Sequence, residues 1–497
     1  MSIKTEYETY RWVGEICRLK GQSVVEVRLA GSEISTVLAV QAKAVAEGSA
    51  CADGEAHYNG KLILSVVYED GEKKVCRAER GAEFFHKIEG SAVTPACFCK
   101  TALSAETVNI RREGSGLYVS VVIGAEIEVY GGKQIDYVTG GEGLIVKNEK
   151  TTVFKTVCVS GETEGEDEFE SDYVGDVLLH SERAIVSRVV AEAGQIEIEG
   201  ELAFNICVLK ADDGVCSYER LTPFRMQIPC DEAFGRLSAG ARVDVKSARL
   251  DAGADEEKGR CKMVLSYVLS ADCYLSVKEE LDVVADAFST GSEVVVKTAK
   301  DGGRYLTKCE KYTERVGGVA SLSPNLEGEY TLQACVLPRA EITCKKTERG
   351  TEAEGAVFAD VILVSADGTH RKAELSLPFL FPVDADGETV EADAIVCGLN
   401  VRRKRGGETE AEATLKVCLK SYDEGQWAYV SDVLEGEPVE DTDPAFSVFL
   451  PKAGEDLWTI AKRLKCEPSA LEKSNPNLEF PLKAGQRIYV YNPLKNV

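Results

Sequence analysis

The sequence predicts a mainly β protein: three repeated antiparallel β domains followed by a small α+β module of βααβ order. Three observations carry this. Most of the chain alternates apolar and polar residues over short stretches bounded by Gly, Asp and Asn, the period-2 signature of half-buried strands joined by hairpins. One strand-and-turn block occurs three times. Past Phe446 the apolar spacing lengthens to that of a helix.

The repeated block opens on a glycine and runs as an alternating strand. It covers Gly60–Tyr68, turning at Glu69-Asp70-Gly71; Gly200–Leu209, turning at Asp212-Asp213-Gly214; and Gly355–Val364, turning at Ala366-Asp367-Gly368. Asp-Gly is a hairpin signal because glycine readily takes the positive φ such turns need. The copies stay in step. Asn109-Ile-Arg-Arg precedes the strand from Gly116, as Asn400-Val-Arg-Arg precedes Ala413–Leu419, and Gly71 to Gly116 and Gly214 to Gly259 are both 45 positions. The block starts lie 140 and 155 positions apart, far longer than a solenoid rung, so each unit is a whole β domain. The units are placed at 1–145, 146–290 and 291–440. Between strands, Gly161–Asp172 carries seven acids in twelve residues and reads as a solvated linker. A calcium loop needs oxygen ligands at defined positions around a turn glycine, and this run lacks that order. The basic run Arg402–Arg405 reads as a hairpin tip, with docking to an acidic partner as the alternative.

Composition narrows the function. At about 150 residues per domain, 497 residues make three or four domains. With 58 basic and 83 acidic residues the net charge is −25, which argues against nucleic-acid or anionic-membrane binding. The N-terminal text has no basic start and apolar stretch of a secretory signal, and no run approaches about 18 apolar residues. A soluble cytosolic protein without membrane insertion is expected. Seventeen cysteines cannot all pair within one chain. Cys207, Cys335 and Cys418 lie in apolar strand text and read as small buried hydrophobes. Cys97 and Cys99 share a strand face but have no matching second pair for zinc; oxidative cross-linking is the remaining reading. His57, His86, His180 and His370 sit in separate contexts. No phosphate loop or nucleophile elbow occurs, and Gly140-Gly141-Glu142-Gly143 lacks the helix a dinucleotide site needs. The expectation is a protein that is not an enzyme, with no cofactor and no metal.

The C-terminus is more specific. A strand at Ser447–Leu450 leads to Gly454-Glu455-Asp456, and Leu457, Ile460, Ala461 and Leu464 then form one helical stripe. Asp456 is placed to cap that helix. A second helix starts near Pro468 with Leu471 facing the core, Asn475-Pro476 stops it, and Arg487–Tyr491 follows Gly485-Gln486 as a closing strand.

Gly454, Leu457-Trp458-Thr459-Ile460-Ala461, Leu471, Asn475-Pro476 and Gly485-Gln486 match, in order and spacing, the motif of a LysM domain, which 445–493 resembles. The resemblance implies binding of N-acetylglucosamine glycans such as peptidoglycan in a groove between Gly454, Glu455, Asp456 and Leu457 on one side and Asn475, Pro476 and Asn477 on the other. The family's usual Gly-Asp-Thr is here Gly454-Glu455-Asp456, so a hydroxyl donor is replaced by a charge. Trp458 is expected in the helix core. Repeated β domains ahead of one LysM are similar to the SPOCS-domain, SipL-like spore coat morphogenetic proteins of spore-forming Firmicutes. That resemblance implies a mother-cell protein at the forespore surface and spore coat, in contact with a coat-basement ATPase of the stage IV sporulation protein A kind. The expected function is a non-catalytic scaffold whose LysM docks that protein partner. The alternatives are a peptidoglycan-binding module and a self-assembling coat or exosporium protein.

Overall fold

The computed structural model describes residues 3–29, 34–114, 116–171, 175–210, 214–235, 237–255, 260–324, 329–348, 350–404, 408–439, 446–452, 454–478, 482 and 486–491. The chain is mainly β, and its long strands fall into three groups of six. The first group is β1 (Lys4–Leu29), β2 (Ile34–Ala52), β3 (Glu55–Asp70), β4 (Val75–Glu89), β5 (Phe98–Glu113) and β6 (Gly116–Glu142). The second is β7 (Ile145–Ser171), β8 (Gly175–Glu192), β9 (Gln195–Lys210), β10 (Val215–Pro229), β11 (Ser238–Asp255) and β12 (Arg260–Phe288). The third is β13 (Ser292–Ser323), β14 (Tyr330–Thr347), β15 (Gly350–Ser365), β16 (His370–Val383), β17 (Thr389–Arg403) and β18 (Thr409–Pro438).

The same antiparallel pairing order occurs in each group. The sheets run β1-β6-β5 and β2-β3-β4, then β7-β12-β11 and β8-β9-β10. In the third group, β13-β18-β17 and β14-β15-β16 are joined through Ser321–Ser323 of β13 into one six-stranded sheet. Within each group the two three-stranded layers face each other across an apolar core, as alternating strands require. Leu62, Leu64, Val119 and Ile123 fill the first, Ile198, Phe204, Leu265 and Leu269 the second, and Val357, Val361, Leu375 and Leu415 the third. A one-residue bulge also recurs at matching points, between Val37 and Ala39, Val177 and Leu179, and Leu332 and Ala334.

The structure gives a reason for the glycine that opens each block. A Cβ on Gly60 would run into the ring of Phe84 and the carbonyl of Val45. On Gly200 it would meet Phe224 and Ile185, and on Gly355 Phe379 and Glu341. Each phenylalanine stands on the neighbouring strand directly opposite its glycine, so its ring covers bare backbone and seals the core edge.

The outer strands are too long for one sandwich: β1 has 26 residues and β13 has 32, against a usual maximum near 10. The excess leaves the sandwich as two-stranded ribbons. A lone ribbon is marginal in water, and the three ribbons bury one another. Trp12, Ile135, Tyr137, Val153, Val283, Trp427 and Tyr429 form one shared core, continued by Val138, Val284, Ala287, Val430 and Val433. A further shared core takes Leu38 and Val67, Leu178 and Cys207, and Val336 and Ile362 from the inner sheets of all three groups.

Some expectations change. Gly161–Ser171 is not a linker but the second half of β7, paired with β12 from Ala271 to Cys261. Its glutamates 162, 164, 166, 168 and 170 alternate outward on an edge strand, where charge opposes pairing with another chain. Asp167 instead points inward, accepting from Arg220 (2.9 Å) and Thr222 (2.7 Å). In the first hairpin the left-handed residue is Lys73 (φ 64°), not Gly71, because Asp70 accepts from the backbone N–H of Glu72 and Lys74 (both 2.9 Å) and moves the turn along. Gly368 (φ 82°) does supply the third turn. Asp172, Asp212, Asp213, Gly259 and Arg405 lie outside the described residues. Among the described residues no helix is long and apolar enough to cross a membrane.

Candidate functional site

The C-terminal module consists of β19 (Phe446–Phe449), α1 (Leu457–Leu464), α2 (Pro468–Ser474) and β20 (Ile488–Tyr491). Asp456, extended at φ −92°, accepts from the Thr459 N–H (2.9 Å) and caps α1. Hydrogen bonds from Thr459 hold its carboxyl below the usual range. Lys462 and Arg463 fall in the last turn, where the helix dipole favours cations, and Lys465 closes the helix in a left-handed conformation. Pro468 opens α2, and β19 and β20 pair antiparallel, Val448 opposite Tyr489. Ile460, Ala461, Leu471, Leu482, Ile488 and Val490 form a small core.

That core is completed from outside. Phe288, the last residue of β12, is fully buried in it and meets Trp458 edge to face at 5.1 Å. Asp286, two residues earlier at a bulge in β12, accepts from Trp458 Nε1 (2.8 Å) and Lys462 Nζ (2.6 Å). Burial alone would raise the Asp286 carboxyl, but Lys462 and Trp458 together hold it below the usual range. Lys465 adds an ion pair to Glu293 at 2.7 Å. Trp458 therefore lies in the joint between module and ribbon rather than wholly within the module. Asp286 and Phe288, some 170 residues away, were missed from sequence; the short apolar-acidic text of β12 offered no signal for a contact at that separation.

The seven residues of the expected groove are placed as follows. Gly454 (φ 86°) donates to the Leu482 carbonyl at 3.0 Å. Glu455 accepts from the Lys452 N–H (3.0 Å) and pairs with Arg463, which lowers its carboxyl. Asp456 is the cap, and Leu457 packs half-buried on the module core. The buried Asn475 amide donates to the carbonyls of Leu471 (2.8 Å) and Tyr489 (2.7 Å) and accepts from the Tyr489 N–H (2.7 Å), stitching α2 to β20. Pro476 and Asn477 form an exposed turn. Glu455, Asp456 and Asn475 thus commit polar atoms to the module's own structure. Gly485 of the motif lies outside the described residues.

The module's exposed feature is apolar. Phe446, Val448, Leu450 and Tyr489 are 57, 49, 64 and 45% exposed, and Phe446 stacks on Tyr489 at 5.9 Å. Phe446, Val448 and Tyr489 occupy the face of the β19–β20 sheet away from Ile488 and Val490, and Leu450 follows directly after β19.

Elsewhere, polar groups are used to join the three groups. Buried Glu69 of β3 accepts from both the backbone N–H (2.9 Å) and the ring Nδ1 (2.7 Å) of His370 in β16. Glu182 faces His180 at 3.2 Å and pairs with Lys43 of β2, and His57 lies 3.0 Å from Glu55. Each of these three histidines has its own carboxylate neighbour, and the three lie in separate places. Glu219 of β10, pushed up to about 6 by burial against the lowering bond from Leu399 N–H, spans the second and third groups. A cavity of about 10 Å³ beside Phe204 and Pro338 holds at most one water, and an open hollow of about 330 Å³ lies over Trp12 and Gly132. Among the described residues no cluster of three or more His, Cys, Asp or Glu could hold a metal ion. No family model, curated protein or solved structure matches the chain.

Proposed function

We propose that the chain is a non-catalytic scaffold of spore coat assembly, built from three SPOCS-like β units and a LysM-like module that docks a protein partner. The observation that carries this reading is the module's two-sidedness. One side is fastened to the ribbons through Trp458, Lys462 and Phe288. The other offers Phe446, Val448, Leu450 and Tyr489, a compact apolar patch of the kind that marks protein contact sites. The polar side chains a glycan groove would use at Glu455, Asp456 and Asn475 are already bonded within the module, which favours protein over sugar. By resemblance, the partner is a coat-basement ATPase of the stage IV sporulation protein A kind, met at the forespore surface from the mother-cell cytosol.

The test uses purified ATPase against residues 1–440 and 1–497, with sacculi sedimentation in parallel. Retention of the ATPase by 1–497 alone supports the reading. Equal retention by both would remove the module from the interaction, and sedimentation with sacculi without ATPase binding would favour the peptidoglycan reading.

A further inference from the structure

Cys309 of β13 and Cys418 of β18 stand apart from the other thiols. Their sulfurs are 3.6 Å apart. Cys309 lies opposite Lys420 and Cys418 opposite Lys311, so the two are diagonal neighbours and their side chains meet on one sheet face. A disulfide needs a sulfur separation near 2.05 Å, about 1.6 Å less than here, and because diagonal neighbours stand about 7–8 Å apart, closure also draws β13 and β18 together. The pair sits where the third ribbon joins its sandwich, against Ile185, Ala203 and Leu221 of the second group and Ile395. Cys418 is buried, whereas Cys309 is partly open to solvent.

Reactivity is asymmetric as well. The hydrogen bond from Cys418 pulls the Cys309 thiol down and the Lys420 ammonium adds to this, against burial and Glu310, which raise it. Every other described cysteine with a resolved shift moves up, chiefly through burial or, for Cys418, through its bond to Cys309. Cys51, beside Cys99, is pushed up to about 12, with burial first among the causes. A thiolate is the nucleophile in oxidation, and Cys309 is the sulfur of the pair that solvent reaches, so Cys309 is the attacking atom and Cys418 the resolving one.

We propose that Cys309 and Cys418 are a peroxide-responsive dithiol that closes to a disulfide across β13 and β18. The Cys309 thiolate attacks one oxygen of hydrogen peroxide; an S–O bond forms, the O–O bond breaks, and the departing hydroxide takes a proton to become water. The Cys418 sulfur then attacks the sulfur of the resulting sulfenic acid. An S–S bond forms, the S–O bond breaks, and the hydroxyl leaves with the Cys418 proton as a second water. The two thiols lose two electrons and the peroxide gains them. The product staples the third ribbon at its seam with the second group.

The test treats the reduced full-length chain with one equivalent of hydrogen peroxide at pH 7, alkylates the remaining thiols and maps peptides without reduction. The expected result is a 309–418 linked peptide formed at least about 10-fold faster than any Cys51–Cys99 link. Cys418→Ser should abolish the link and leave a sulfenic acid on Cys309 that dimedone traps; Cys418→Ala serves the same purpose should the serine variant fold poorly. Consumption of other thiols with Cys309 intact, or Cys51–Cys99 linking first, would overturn the proposal.

Discussion

The three β groups and the C-terminal module solve the same problem at different scales. Each group has its own sandwich core and also lends side chains to cores shared with the other two. The module has one small core, needs Phe288 to complete it, and is held by a few polar contacts to Asp286 and Glu293. The groups face inward toward each other, while the module leaves an apolar sheet face exposed. A small domain cannot bury enough surface to be robust alone, so borrowing a residue from a ribbon both steadies the module and sets its orientation.

Four substitutions probe that difference. The largest effect falls in a sandwich: Gly200→Val drives a branched side chain into Phe224 and the Ile185 carbonyl and should cost about 3 kcal/mol, read as a lower urea midpoint at unchanged slope. At the joint, Asp286→Ala removes the acceptor of Trp458 and Lys462. A cost of about 1–2 kcal/mol should appear as faster hydrogen exchange in 457–474 while β1–β18 keep their protection. Because the Asp286 carboxyl is depressed in the folded state, the joint is at full strength above the unfolded carboxylate range, near 3.9, and weakens as pH falls through the lower folded value. The wild-type joint should therefore loosen in acid, and Asp286→Ala should flatten that response.

Glu219 has the opposite sign. Its raised value, about 6, means that ionisation opposes folding, so its cost is absent below about pH 4 and grows as pH rises through 6. Glu219→Gln should gain about 1 kcal/mol at pH 7, allowing for partial exposure, and nothing at pH 4, as measured by the difference in urea midpoints. Least costly is Gly454→Ala: no atom lies within 4 Å of its Cβ, so only the positive φ is penalised, by about 1 kcal/mol. Its effect should stay within the module.

Local features were legible where neighbours in sequence decide them. The Asp456 cap, the Leu457–Leu464 stripe, the Pro468 start and the Gly368 turn all follow from short-range rules. The acidic stretch in β7 misled because charge density suggested solvation, yet alternation put only every second residue outward and left Asp167 to meet Arg220. Cross-group pairs were invisible for a simpler reason. Glu69 and His370 are separated by 301 positions, and no local pattern encodes a contact made only when the three groups assemble. In the module, the sequence named the loop residues, but whether Asn475 faces a ligand or β20 depends on the strand pairing that places Tyr489 beside it.

The most direct test of the central claim, that the module is anchored by one face and docks through the other, is the affinity of purified coat-basement ATPase for the full chain and for its Val448→Asp, Tyr489→Ala double variant. Both positions are exposed, so the variant should stay folded, losing only the Phe446–Tyr489 stack. The account predicts at least a 10-fold loss of affinity, about 1.4 kcal/mol. Undiminished binding by a folded variant would contradict it.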